Sequence, residues 1–372
     1  MSEDIEVTNI VVLPGDGIGP EVASEAVQCL ALMSDRCGLG FRFDEHDFGG
    51  AAIDAHGVPL PDSTLEACRH ADAILLGAVG GPRWDKSKER PEAGLLALRM
   101  SLGLFTNLRP ARVIAGLEAF SPLKSAVAEG ADVLVVRELT GGIYFGAKED
   151  GADDASDLCS YSRHEVERIA HVAFRAARER SRKVTSVDKA NVLATSRLWR
   201  STVDEVSAFY PDVRLDHLYV DAAAMALVTT PTRFDVILTE NMFGDILSDE
   251  LSVISGSIGL MASCSSGADG PSLFEPIHGS APDLAGKDVA NPAGAIASAV
   301  MLLDQGLGMP EQAQMLSNAL EQALLEGCRT SDLGGAFGCA AFGDRVREIL
   351  EKSLVRQMAH LQLIRMNRGC CG

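Results

Sequence analysis

Two carboxylates spaced four residues apart, Asp245 and Asp249, have the arrangement of a metal-ligand pair. On a helix, residues i and i+4 share a face, so these side chains can meet. Their charges repel unless a cation joins them, and the apolar neighbours Ile246, Leu247 and Leu251 predict a core-facing helix that desolvates them. Hard oxygen ligands favour Mg²⁺ or Mn²⁺. A solvated acidic helix face is the alternative.

Three arginines, Arg99, Arg109 and Arg137, lie at the ends of apolar runs. A guanidinium group binds a carboxylate with two parallel hydrogen bonds, so converging arginines would suit a dicarboxylate. Taken alone, each one is better explained as an ordinary surface or ion-paired arginine. Lys189 follows a buried type of strand, a position that suits proton transfer. Its alternative is a strand-end lysine in water.

The elements that must position these side chains follow an α/β pattern, in which short apolar runs alternate with stretches of helical period. This pattern predicts a largely parallel sheet. The predicted strands are 10–13, 41–48, 73–79, 133–136, 184–187, 217–220 and 236–238. The predicted helices are 20–33, 164–179, 192–209, 242–255, 292–305, 311–326 and 342–358. Residues 146–162 are Asp- and Ser-rich and predict an exposed arm, and residues 267–271 predict a second irregular loop.

The turn at residues 14–20 partly matches a dinucleotide-binding fingerprint, but Pro20 occupies the place of the third glycine. The Rossmann signature and the G-x-x-x-x-G-K-[ST] phosphate loop are both missing from the sequence. Any nucleotide is therefore bound by another route. A chain of 372 residues exceeds what one core usually supports, so two lobes are expected.

The composition excludes several classes of partner. There are 33 Lys and Arg residues against 52 Asp and Glu residues, and the net charge of -19 repels nucleic acids and anionic membranes. No run approaches the ~20 apolar residues that cross a bilayer. Nine cysteines without C-x-x-C spacing indicate neither a disulfide framework nor a zinc site, so we expect a cytoplasmic protein. Cys370 and Cys371 are interpreted as unconstrained thiols of a tail.

Five separated stretches together resemble the decarboxylating hydroxyacid dehydrogenases, which include isocitrate and isopropylmalate dehydrogenases. The stretches are 14–21, 91–109, 137–146, 188–191 and 241–250, and residues 278–283 with 291–292 are similar to the family's own cofactor loop. The resemblance spans nearly the whole chain in the family's order. It implies an isopropylmalate dehydrogenase-like, two-lobed α/β fold with a mostly parallel mixed sheet, not a Rossmann fold. The implied cofactor-binding domain is 1–104 plus 257–372, and the implied substrate, metal and dimerisation domain is 105–256, with an arm near 140–162.

The resemblance also assigns roles to individual residues. The implied substrate-binding residues are Glu92, Leu95, Leu96, Arg99, Arg109, Arg137, Val192 and Asp221. The implied metal ligands are Asp221, Asp245 and Asp249, for Mg²⁺ or Mn²⁺. The implied NAD contacts are Glu275, His278, Gly279, Ser280, Ala281, Asp283 and Asn291. The implied catalytic residues are Lys189, which takes the hydroxyl proton, and Tyr144, which returns a proton after decarboxylation.

In this family the residues that match Lys189 and Asp221 come from the neighbouring subunit, so the resemblance implies a homodimer with shared active sites. Leu95 and Leu96 replace the polar groups with which isocitrate enzymes meet a third carboxylate, and they favour an isopropyl group instead. The expected reaction is therefore NAD-dependent oxidative decarboxylation of (2R,3S)-3-isopropylmalate in leucine biosynthesis. Asp283 and Leu284 occupy the places that carry basic or aromatic groups in NADP-using relatives. The carboxylate of Asp283 would repel the 2′-phosphate of NADP, so NAD is expected.

Other readings remain open. A pocket discriminates one methylene by only ~1–3 kcal/mol, so another 3-substituted malate with an alkyl, benzyl or methylthioalkyl group is an alternative. Homoisocitrate or tartrate is a second alternative, and a catalytically silent regulatory subunit is a third. Residues 260–266 lack the family's usual proline, and residues 148–162 are shortened and acidic. Both departures fit a paralogue recruited to a side pathway.

Overall fold

The computed structural model describes residues 7–369, and side chains as far as residue 356. The interpretation of Cys370 and Cys371 lies outside the described residues. The chain divides into two compact units: unit 1 comprises Met1–Leu95 and Leu273–Gly372, and unit 2 comprises Leu96–Ser272. Among the described residues, none of the helices combines the length and the apolar character needed to cross a bilayer.

Strands and helices alternate through much of the described chain, as predicted. The strands are β1 (Thr8–Gly15), β2 (Phe41–Glu45), β3 (Ala73–Ala78), β4 (Thr106–Arg112), β5 (Asp132–Glu138), β6 (Lys148–Asp150), β7 (Ala155–Asp157), β8 (Lys183–Asp188), β9 (Arg214–Tyr219), β10 (Val236–Thr239), β11 (Ala262–Ser266) and β12 (Ser272–Pro276). The helices are α1 (Gly19–Cys37), α2 (Gly49–His56), α3 (Asp62–Arg69), α4 (Pro91–Ser101), α5 (Ser125–Ala128), α6 (Arg163–Arg178), α7 (Ala194–Ser207), α8 (Val220–Thr229), α9 (Asn241–Ile254), α10 (Ala293–Met301), α11 (Pro310–Leu325) and α12 (Cys339–Gly369).

In unit 1, β1 lies between β2 and β3 and pairs in parallel with both. The apolar runs of β1 and β3 are buried because helices cover them, and α1 packs against β1 and β3. Pro20 lies in the first turn of α1, where its missing N–H costs no hydrogen bond. Gly38 ends the helix with φ of 68°, a conformation that glycine adopts without strain.

In unit 2, the strand order is β11-β4-β5-β10-β8-β9. The pairs β5–β10, β10–β8 and β8–β9 are parallel, whereas β4 is antiparallel to β5 and β11. This arrangement confirms the prediction of a mostly parallel, mixed sheet. Helix α6 begins with a capping box between Ser162 and Glu165, and its apolar face enters a core with Phe174 and Trp199.

Several sequence predictions differ from the structure. The second strand ends at Glu45, because Gly49, with φ of 69°, turns the chain into α2 directly after the buried Phe48. Leu247 and Leu251 are buried as predicted, but Ile246 is exposed, so its prediction as a core residue was wrong. One residue advances a helix by about 100°, which turns Ile246 onto the exposed face of α9 that it shares with Val253. Residues 146–162 contain the short, exposed hairpin β6–β7.

The packing of Phe174 in the core of unit 2 can be tested by substitution. Phe174 is fully buried and stacks on Tyr210 with ring centroids 5.0 Å apart. Phe174→Ala is expected to lower the free energy of unfolding by about 3–5 kcal/mol in denaturant titration, since a buried cavity remains. Phe209→Ala, at a side chain that is 71% exposed, is the matched control and should stay within about 0.5 kcal/mol of the wild type. Equal losses in both variants would contradict this placement of the core.

Candidate active site

The predicted arginine cluster and the predicted carboxylate pair meet within unit 2. Arg137 lies at the end of β5, and Nη1 of Arg137 is 2.7 Å from Oδ1 of Asp245 on α9. Nη1 of Arg109, on β4, is 3.3 Å from the same oxygen and 3.5 Å from Oδ1 of Asp249. The arginine side chains are 3% and 9% exposed, whereas those of Asp245 and Asp249 are 31% and 57% exposed. The cations are therefore buried behind the acids.

Burial and charge oppose each other in this cluster. Burial, with Arg109 and Arg99 nearby, lowers the pKa of Arg137 to about 9, so the guanidinium still carries its charge at neutral pH. Burial alone would raise the pKa of Asp245, but Arg137 and Arg109 reverse that shift and hold it below its usual value. Burial raises the pKa of Asp249, and the charge of Asp245 adds to the shift. Three guanidinium groups against two carboxylates leave positive charge in excess, which suits an anionic ligand.

Neutral side chains fix the orientation of Arg109. Its Nε donates to Oδ1 of Asn107 at 2.8 Å, and its Nη1 donates to Oγ of Ser248 at 2.8 Å. Nδ2 of Asn107 in turn donates to Oγ of Ser265 at 3.1 Å. Sequence reasoning missed these residues because they carry no charge. Ser248 could have been found from its spacing, since it is three residues from Asp245 and shares its helix face.

Tyr144 joins the same cluster. It ends a single 3₁₀ turn, Gly142–Tyr144, after β5. Its hydroxyl donates to Oδ2 of Asp245 at 2.8 Å, and the Arg137 guanidinium lies 5.7 Å from its ring centroid. Burial and the hydrogen bond to Asp245 raise the pKa of Tyr144. The phenol is therefore protonated at neutral pH and can serve as a proton donor.

Lys189 and Asp221 form a second charged pair. The ammonium group of Lys189, which follows β8, contacts the carboxylate of Asp221 at the start of α8. The preceding Asp188 is buried and accepts two hydrogen bonds from Arg200, at 2.8 and 2.9 Å. In the part of the chain that the structure describes, no three His, Cys, Asp or Glu residues are grouped so that they could hold a metal. Asp221 therefore does not join Asp245 and Asp249 within one chain.

The carboxylates of α9 nevertheless fit a divalent metal. Asp245 and Asp249 are one helical turn apart, and both are partly open to solvent. Mg²⁺ takes hard oxygen ligands and is usually bound by one or two carboxylates, with waters and substrate oxygens completing its shell. Two such donors beside an anion-attracting cluster match that chemistry.

The predicted cofactor loop lies in unit 1. The backbone N–H of Ile18 donates to the carbonyl of Ser280 at 2.8 Å, and a Cβ on Gly17 would lie 2.0 Å from that oxygen. The glycine turn after β1 therefore packs directly on the loop, where Ala281 has φ of 37°. This contact explains why glycine is needed at residue 17 without a Rossmann motif.

Polar groups of this loop fit a dinucleotide. Burial lowers the pKa of His278, and its Nε2 is buried without a hydrogen-bond partner among the described residues. Asn291 donates to Asp332 at 3.0 Å and accepts from the Ala293 N–H at the start of α10. Glu275 is buried, whereas Gly279 and Asp283 are exposed. An exposed carboxylate can accept hydrogen bonds from ribose hydroxyls.

The remaining predicted substrate residues lie on α4 and before α7. Helix α4 carries Glu92, Leu95 and Leu96, and both leucines are partly exposed. The Glu92 carboxylate approaches Gly80 so closely that a Cβ there would lie 2.5 Å from Oε1. Val192 is exposed in the segment between β8 and α7.

Known proteins resemble this chain over most of its length. The isocitrate/isopropylmalate dehydrogenase family matches residues 9–346. A 3-isopropylmalate dehydrogenase of Staphylococcus haemolyticus (strain JCSC1435) is 54% identical over 330 residues, 88% of this chain and 95% of that protein. A 3-isopropylmalate dehydrogenase of Anaeromyxobacter dehalogenans (strain 2CP-C) is 53% identical over 344 residues, 91% of this chain and 98% of that protein.

Solved structures show the same fold. The crystal structure of isocitrate dehydrogenase from Methylococcus capsulatus has a TM-score of 0.84 and 34% identity, covering 93% of this chain and 100% of that chain. A beta-decarboxylating dehydrogenase from Thermococcus kodakarensis has a TM-score of 0.79 and 37% identity, covering 94% and 98%. These similarities confirm the predicted fold class and the resemblance on which it rested. The chain is a member of the isocitrate/isopropylmalate dehydrogenase family.

Proposed function

We propose that this enzyme oxidises and decarboxylates (2R,3S)-3-isopropylmalate to 4-methyl-2-oxopentanoate and CO₂ with NAD, the reaction that serves leucine biosynthesis. The observation that carries the proposal is the meeting of buried Arg109 and Arg137 with Asp245 and Asp249. The identity of 53–54% to proteins named 3-isopropylmalate dehydrogenase supports the choice of substrate.

Arg99, Arg109 and Arg137 would hold the two malate carboxylates. Leu95 and Leu96 precede Arg99 by four and three residues, so they lie on its face of α4. A side chain at C3 of a malate held by Arg99 would meet these leucines. Burying an isopropyl group there is favourable by ~0.8 kcal/mol per CH₂, whereas a third carboxylate would lose its hydration without a partner.

The chemical step follows from the same residues, of which Lys189 and Asp221 come from a second copy. Lys189, directly or through a water, takes the C2 hydroxyl proton as that carbon is oxidised. When bound, NAD supplies the hydride acceptor, and a divalent metal at Asp245, Asp249 and Asp221 supplies Lewis-acid stabilisation of charge on the substrate oxygens. After CO₂ leaves, the Tyr144 hydroxyl supplies a proton to C3, for which its raised pKa keeps it protonated.

A homodimer with shared active sites is supported by the surface of α8 and α9, which pack against each other. Four large apolar side chains on these helices are exposed: Met225, Val228, Ile246 and Val253. Exposed apolar groups clustered beside a functional site are typical of an interface. A second copy is the occupant that would bring Lys189 and Asp221 to the arginine cluster, since among the described residues of one chain Asp221 is not grouped with Asp245 and Asp249.

We also propose which unit binds which ligand and which dinucleotide is the cofactor. Unit 1 contains the loop with His278, Asp283 and Asn291, so we assign NAD binding to it. Unit 2 contains the arginines that would bind the malate carboxylates and the carboxylates of α9, so we assign these arginine contacts and the metal site to it. Glu275, Gly279, Ser280 and Ala281 would complete the NAD site. The exposed Asp283 favours NAD because its charge would repel a 2′-phosphate.

Turnover tests the proposed function. With isopropylmalate, NAD and Mg²⁺ or Mn²⁺, the wild type should form NADH, faster than with benzyl, methylthioalkyl or other alkyl malates, homoisocitrate or tartrate, and a chelator should stop it. Asp249→Asn should lower turnover at least ~100-fold, because Lewis-acid stabilisation is worth several kcal/mol. Glu250→Gln, on the neighbouring position of α9, is the control. If the wild type forms no NADH with any of these acids, a regulatory subunit is indicated instead.

Mixed dimers test the shared site. Lys189→Ala and Asp245→Asn homodimers should each be nearly inactive, whereas unfolding and refolding them together should restore about a quarter of wild-type turnover, since half the dimers contain one intact site of two. Mixing Asp245→Asn with Asp249→Asn is the control, because both defects fall in the same half-site. If activity does not return in the first mixture, each site is built from one chain.

The cofactor preference is tested at Asp283. Asp283→Lys should raise the KM for NAD about tenfold or more and improve use of NADP, because a lysine replaces ribose hydrogen bonds and attracts the 2′-phosphate. Glu129→Lys changes the net charge equally at an exposed residue of unit 2 and should leave both KM values unchanged. Unaltered NAD kinetics in Asp283→Lys would place the ribose elsewhere.

A further inference from the structure

Asn241 has a hydrogen-bond arrangement that none of the roles above explains. It is the first residue of α9, and it is only 1% exposed. Its Oδ1 accepts from Nε and Nη2 of Arg137, at 3.0 and 2.7 Å. Its Nδ2 donates to the carbonyls of Leu139 and Gly141, at 2.9 and 3.2 Å. A primary amide has two donors and two acceptor sites, so the whole capacity of this side chain is used.

The two carbonyls belong to the loop that carries Tyr144. This loop is tightly packed, since Gly142 has φ of 74° and a Cβ on it would lie 2.3 Å from the hydroxyl oxygen of Tyr161. The backbone N–H of Asn241 donates to the same hydroxyl at 3.0 Å. Asn241 and Tyr161 therefore hold the loop against the beginning of α9.

Asp245 makes a parallel connection one helical turn later. Its Oδ1 accepts from Arg137 at 2.7 Å, and its Oδ2 accepts from Tyr144 at 2.8 Å. A carboxylate oxygen that coordinates a divalent cation has fewer lone pairs left to accept hydrogen bonds from neighbouring donors. The amide of Asn241 carries no charge and does not compete for the cation, so its connection between Arg137 and the Tyr144 loop persists.

The surroundings explain why this position takes an amide. Two buried acids lie close by, and burial raises the pKa of both Glu138 and Glu240, that of Glu240 to about 7 with a contribution from Glu138. Another carboxylate here would face these acids and two carbonyl oxygens, with Arg137 as its compensating cation. A neutral side chain that both donates and accepts fits the site.

We propose that Asn241 is a positioning residue that keeps the Arg137 guanidinium and the Tyr144 loop in a fixed relative position. Arg137 can then bind a carboxylate of the same substrate molecule to which Tyr144 donates its proton. This inference rests on the proposed function. It assigns to Asn241 no contact with substrate, metal or NAD. The assignment can be tested because the amide has two separable halves: its oxygen accepts hydrogen bonds from Arg137, and its nitrogen donates hydrogen bonds to the loop.

Asn241→Asp separates the two halves. It keeps acceptors for Arg137 and removes both donors to the loop, so kcat should fall ~10- to 100-fold because Tyr144 is misplaced. The KM for isopropylmalate should rise only a few-fold, because the added carboxylate offsets part of the charge of Arg137 but leaves its guanidinium in place. Asn241→Ala removes both halves and should raise KM about tenfold as well as lower kcat. Asn318→Asp, the same change at an exposed residue of α11, is the control and should leave both constants unchanged.

Amide hydrogen exchange gives a readout that does not need turnover. In Asn241→Asp, the N–H groups of Gly142 and Phe145 should exchange at least about tenfold faster than in the wild type, and those of α6 should not change. Wild-type kinetics and exchange in that variant, or a lower melting temperature with unchanged kinetics, would overturn the proposal. A wild type that turns over no malate would refute the proposed function, while exchange still decides whether Asn241 holds the loop.

Discussion

Burial of positive charge is the constraint around which unit 2 is built. Arg109 and Arg137 are nearly inaccessible, and an unpaired charge in such surroundings is costly. The adjacent strands β4 and β5 bring them together, and α9 supplies acids, a hydroxyl and an amide as partners. The partners do not cancel the cations, so a chain with a net charge of -19 keeps a local site for an anion.

The partners of the arginines divide into two chemical kinds. Asp245 and Asp249 are charged and face outward, so a cation can recruit them. Asn107, Ser248 and Asn241 are neutral, buried, and satisfied by hydrogen bonds within the chain. The neutral groups preserve the geometry of the guanidinium groups while the charged groups exchange partners, which is the support that a preorganised site requires.

The sequence predicted the charged part of the site better than the neutral part. The spacing of Asp245 and Asp249 and the place of the arginines at run ends indicated a cluster, but only the antiparallel register that sets Arg109 against Val135 shows which strands meet. Strand β4 was not predicted because it contains Pro110, a residue that is unfavourable within a strand. The apolar side chain of Ile246 did not indicate that this residue is exposed. Asn107 and Asn241 act through neutral hydrogen bonds that no periodicity reveals. Chain length indicated two lobes, but the assignment of segments to each lobe came from the family resemblance, because periodicity does not show which distant segments join.

The division of unit 1 between both ends of the chain affects how the protein is made. Helix α1 packs against α10 and α12 as well as against β1 and β3, so the part of its buried face that the two C-terminal helices cover has no partner until they leave the ribosome. At ~5–20 residues per second, that interval is roughly 15–60 s. Unit 2 is continuous in sequence and can fold during this time. The order of synthesis therefore predicts that unit 2, which contains the arginine cluster, folds first, and that the nascent N-terminal segment is exposed to chaperones in the meantime.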